Sequence, residues 1–176
     1  MNEHIVLVLL GIAGVAATFA GFSGVVAALD RRARGDWFPE ERFRLINMVA
    51  ISLGTCLFTF LPLVEELLGL SESALWVAAS ILMGAFCATY VLCAIPLRRR
   101  VGRSRPGSLP LWATVVFVLC LCSAAALQVL NVTAILVERR AGLYVAGLLL
   151  LLVAAGLQFA FLVLEPLSPR NAKHNA

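Results

Sequence analysis

Charge is scarce in this sequence. Of 176 residues only 14% are charged, as 14 Lys and Arg and 10 Asp and Glu. A typical globular protein carries roughly 25%. A water-soluble domain needs a polar coat that so few charges cannot provide, and 61% of the residues are hydrophobic. That combination excludes a soluble globular domain and a disordered chain. A nucleic-acid binder is excluded as well, despite the net charge of +4.

Other things are missing. Histidine occurs twice, as His4 and His174 at opposite ends of the chain, which excludes a metal site built from both. No Ser-His-Asp set, catalytic carboxylate pair or phosphate-binding loop appears. The five cysteines, Cys56, Cys87, Cys93, Cys120 and Cys122, all lie in apolar stretches. They form no Cys-x-x-Cys, so neither a redox shuttle nor a disulfide framework is indicated; buried thiols act as small apolar residues. The expectation is a non-enzymatic protein with no cofactor and no metal.

What remains is long apolar runs. Five stretches contain no charge: Ile5 to Leu29, Leu45 to Val64, Ser73 to Leu97, Pro106 to Val137 and Ala141 to Leu164. They hold 25, 20, 25, 32 and 24 residues. About 20 apolar residues span a bilayer, so each stretch makes one helix and none makes two. The fold class expected is all-α: a polytopic membrane bundle of five transmembrane helices. Residues 1–165 form the one domain and 166–176 a polar, disordered tail. The first stretch does not read as a cleaved signal peptide. Met1 to His4 carries Glu3 and no basic residue, and the apolar run exceeds an h-region of about 7–15 residues.

The loops alternate in basic content. Arg31, Arg32, Arg34, Arg42 and Arg44 flank the first connection, and Arg98, Arg99, Arg100, Arg103 and Arg105 the third. The second has only Glu65, Glu66 and Glu72. With loops one and three and the tail inside, 12 of the 14 basic residues are cytoplasmic. The positive-inside rule then places the N-terminus outside and the C-terminus in the cytoplasm of a bacterial-type cell inner membrane. Arg98, Arg99, Arg100, Arg103 and Arg105 form a patch suited to anionic lipids.

Local signals mark the boundaries. Asp36 is a candidate N-cap for the second helix, with Pro39 in its first turn. Gly69 fits the residue that ends that helix, and Ser71 a cap on the third. Gly142 is expected in the turn between helices four and five, and Arg98 to Pro110 as a flexible connector.

Helix one carries small residues at Ala13, Ala17, Ala20, Gly24 and Ala27, with Gly14, Gly21 and Ala28 beside them. Ile12, Val15, Phe19, Phe22 and Val26 form a bulky opposite face. Small stripes let helices approach closely in lipid, so this one is expected to pack within the bundle, in a homo-oligomer or along a pore wall, while the bulky face meets acyl chains or a looser contact. Helix three repeats the device with Ser80, Gly84 and Ala88.

Intramembrane polar residues fall into two layers. Thr59, Gln128 and Asn131 lie toward the outside; Ser23, Asn47, Thr89, Tyr90 and Gln158 lie toward the cytoplasm. They read as interhelical hydrogen-bonding groups, or alternatively as the lining of a hydrated path. Ser123 is expected to bond Gln158. Pro62 frees the carbonyl of Phe58, and Gln128 or Asn131 is expected to satisfy it. No span contains an ionisable residue other than cysteine and tyrosine, which disfavours proton-coupled carriers and voltage sensors. Two functional classes follow: a bundle that assembles with itself or with partner subunits, or a homo-oligomeric ion channel or passive pore whose outer mouth is Glu65 and Glu66.

Overall fold

The computed structural model describes residues 2–34, 39–102, 111–133 and 140–164. Those residues form five helices: α1 (Glu3–Arg34), α2 (Pro39–Leu67), α3 (Glu72–Gly102), α4 (Leu111–Val132) and α5 (Arg140–Leu164). Each is long and apolar enough to cross a membrane, so the chain has the build of a multi-pass membrane protein. Asp36, Arg103, Arg105 and the tail 166–176 lie outside the described residues.

The helix ends follow the local chemistry. Pro39 opens α2, where its missing N–H costs nothing. At the other end Gly69 adopts φ +77°, and two bonds close the turn: Gly69 N to Glu66 O at 3.0 Å and Leu70 N to Glu65 O at 3.3 Å. This pair is the Schellman motif, which requires the left-handed residue that glycine supplies. Ser71 then caps α3, its Oγ accepting from Ala74 N at 3.4 Å. Two boundaries differ from expectation. Gly142 lies inside α5, and α3 continues through Pro96 to Gly102, carrying Arg98, Arg99 and Arg100 on helix rather than in a connector.

α2 and α5 pack against each other at the centre. α1 rests on these two helices, and α4 packs between α3 and α5. The core is apolar: Leu9, Ile51, Met83, Leu121, Leu148 and Leu151 are fully buried. Large side chains such as Leu57, Leu92, Leu119 and Val129 point outward, as lipid-facing positions do. Three threonine hydroxyls within the helices bond back to their own backbone. Thr18, Thr55 and Thr59 donate to the carbonyls of Gly14, Ile51 and Cys56, so none needs water.

α1 buries neither of its two stripes cleanly. Its packed face is Leu9, Ile12, Ala13, Ala16 and Ser23. The bulky face takes part in the packing at two points: Ile12 is buried and the Phe19 ring lies against Phe159 of α5, with centroids 5.7 Å apart. A methyl added at Gly156 would touch Phe19 at 3.6 Å, so the aromatic fills space that the glycine leaves. That fit decides which side of α1 faces the bundle.

A buried polar cluster between α3, α4 and α5

One end of the bundle, the hairpin end, carries the α2–α3 turn and the start of α5. Here α4 turns Cys120, Leu121, Ala124, Gln128 and Asn131 inward on one face. Asn131 donates from Nδ2 to Ser80 Oγ at 2.8 Å and to the carbonyl of Arg140 at 3.0 Å, linking three helices. Arg140 in turn donates from Nη1 to the hydroxyl and the carbonyl of Ser73, where α3 begins. One turn deeper, Gln128 is wedged between two glycines. A methyl at Gly84 would lie 3.3 Å from its Cβ, and one at Gly147 would overlap its amide. What these glycines permit is the seating of the Gln128 side chain between α3 and α5.

Not every group in this region finds a partner. Gln128 Nε2 and Oε1, Asn131 Oδ1, Arg140 Nε and Glu65 Oε2 are buried without a hydrogen bond. An unsatisfied buried polar atom costs about 1–3 kcal/mol, so five near one end of a small bundle need a reason.

Pro62 and Phe58 settle differently from expectation. The freed carbonyl accepts from Tyr144 Oη at 2.7 Å, not from Gln128 or Asn131. Tyr144 is fully buried and its ring meets Trp76 at 5.6 Å. α5 packs directly on α2 and brings Tyr144 alongside Phe58, whereas α4, which carries the two amides, packs on α3 and α5. Thr59 is buried but spends its hydroxyl on Cys56.

The opposite end has its own polar link. Tyr90 donates to Asn47 Oδ1 at 2.5 Å, joining α3 to α2. Arg44, only 3% exposed, lies over the Phe161 ring at 5.6 Å. Gln158 is half-buried, while Ser123 faces outward on α4 and does not bond it. Thr89 is likewise exposed.

Two charges that flank the apolar stretch of α2 are thus drawn into the bundle. Arg44 precedes Asn47 and Met48 on the buried face of α2, and Glu65 follows Pro62 on the same face. Glu65 is 6% exposed whereas Glu66 is exposed, so within the single chain the two carboxylates have different surroundings. The helix register separates them: Glu65 follows the buried row and Glu66 lies about 100° around.

The small-residue positions also divide. Ser80 and Ala13 are buried, Gly84 and Ala20 half-buried, and Gly14, Ala17, Gly21, Gly24 and Ala88 exposed. Ala27 lies on the same helix. A methyl built on Gly11, Gly14, Gly21 or Gly24 meets nothing within 4 Å. The cysteines are all free, Cys87 and Cys120 buried and Cys93 and Cys122 exposed. Among the described residues no three His, Cys, Asp or Glu side chains are grouped to hold a metal ion. No protein-family model, curated protein or solved structure matches the chain.

Proposed function

We propose that the chain is a non-enzymatic subunit of a bacterial-type inner membrane that assembles with a second copy of itself through the glycine face of α1. The observation that carries this reading is a contrast among glycines. Gly54, Gly84, Gly147 and Gly156 each face a side chain of a neighbouring helix, whereas Gly11, Gly14, Gly21 and Gly24 face none. Inside the bundle glycine serves close packing; on α1 the same residue type forms a smooth, unfilled surface. A helix that only had to meet acyl chains gains nothing from it, and a partner helix does.

The basic residues support an outside N-terminus and a cytoplasmic C-terminus, with Arg98, Arg99, Arg100, Arg103 and Arg105 meeting anionic lipids on the inner leaflet. A pore with Glu65 and Glu66 as its mouth has less support, because Glu65 is turned inward.

The test is copy number in lipid. Single-molecule photobleaching in dilute vesicles is expected to show two or more copies for the natural chain, and single copies once Gly14 and Gly21 are both replaced by Ile. Helical content stays unchanged, since neither position touches the rest of the chain. Single copies of the natural chain overturn the reading.

A further inference from the structure

We infer that water enters the bundle from the hairpin end, between α3, α4 and α5, as far as Gln128 and no farther. The polar groups form a file that descends from the surface. Ser73 is exposed, and Arg140 joins it to Asn131 and Ser80. Gln128 follows, level with Gly84. From Ser73 to Gly84 is eleven residues of α3, or about 16 Å of descent at 1.5 Å per residue.

Four orphaned atoms line this file: Arg140 Nε, Asn131 Oδ1 and both polar atoms of Gln128. They include donors and acceptors, spaced along one helix face and its neighbour. Buried water is held by such groups, each molecule making about three hydrogen bonds. A single cation would leave the donors unsatisfied and a single anion the acceptors, so the chemistry selects water. The two flanking glycines make room for the Gln128 side chain itself, Gly84 at its Cβ and Gly147 at its amide, the deepest polar point of the file. Met83 Cε lies at the same level, 2.8 Å from a methyl built on Gly147, and below it Cys87, Leu121 and Ala124 are buried and apolar. The next interhelical polar link in that direction is Tyr90 to Asn47. The file is therefore a blind inlet, wet on one side of the membrane and closed on the other.

The sequence holds two glutamines, Gln128 and Gln158, which makes the inlet directly observable. The full chain, labelled with 15N at glutamine and placed in lipid nanodiscs, gives two side-chain amide signals, and a Gln158→Leu variant assigns them. Cross-peaks from water to the Gln128 amide, and loss of that signal within minutes of transfer to deuterated buffer, are the expected result. A Gln128 amide that shows no water cross-peak and keeps its protons for hours overturns the inlet. Vesicles bearing the protein are expected to swell no faster than empty ones under an osmotic step. Faster swelling shows that the file is open at both ends and overturns the blind closure.

Discussion

Tyr144 on α5 donates its hydroxyl to the carbonyl of Phe58 on α2, 2.7 Å away, and so repairs the gap that Pro62 opens one turn later. A proline within a spanning helix is tolerated only where a neighbour re-satisfies the freed carbonyl. Here a single phenol does so, while its ring packs on Trp76. Tyr144→Phe keeps the ring and removes the bond. It is expected to cost about 1–2 kcal/mol of stability, read as a lower melting temperature in detergent. Replacing Pro62 with Ala returns an N–H to the same carbonyl. The two substitutions together should therefore cost less than the sum of each alone, and strict additivity would refute the link.

Gly147 and Gly14 are chemically identical and structurally opposite. Gly147→Ala places a methyl on the Gln128 amide, with Met83 Cε also only 2.8 Å away. Overpacking of this kind costs about 1–3 kcal/mol. Gly14→Ala meets open space and gains helix propensity, about 0.5–1 kcal/mol. Thermal unfolding under monomeric conditions should separate the two variants by sign. A loss at Gly14 matching that at Gly147 would mean that α1 packs elsewhere.

Much of this arrangement is legible in the residues themselves. The α2–α3 corner is encoded locally, because Gly69 and Ser71 suffice to end one helix and start the next. The inward row of α4 follows from its spacing, as Ala124, Gln128 and Asn131 share a face. The choice of α1's packed side does not follow, because both stripes fit a helix interface. The deciding contact, Phe19 against Phe159 beside Gly156, joins residues far apart in sequence. Tyr144 is hidden for a related reason: one tyrosine in an apolar run reads as packing. The available signal was the need for a donor at the depth of Phe58. Arg44 and Glu65 lie at the ends of helix two, where a charge reads as solvated, yet both continue the buried row of α2.

Gly69 holds φ +77°, where a side chain is strained. Gly69→Ala is expected to lose about 1 kcal/mol, since the Schellman bonds to Glu66 and Glu65 both pass through this turn. No atom lies within 4 Å of an added methyl, so the loss comes from backbone conformation and not from a clash. Gly69→Asn should therefore recover part of it, because asparagine tolerates the left-handed region better than alanine. Equal melting temperatures for the Ala and Asn variants would point to another cause.

Asn131 and Ser80 test whether the cluster between α3, α4 and α5 holds helices together. Their bond, 2.8 Å long and fully buried, joins α4 to α3. Asn131→Leu leaves Ser80 Oγ and the Arg140 carbonyl without their amide donor, and Ser80→Ala leaves that amide with the carbonyl alone. Interhelical bonds of this type are worth about 0.6–2 kcal/mol in a membrane. The coupling energy from a double-mutant cycle, measured by reversible unfolding in mixed detergent, should fall in that interval. Removing both partners leaves fewer orphans than removing one, so the double variant is expected to be more stable than the two single losses predict. A coupling energy of zero would show that the amide and hydroxyl are neighbours without being partners.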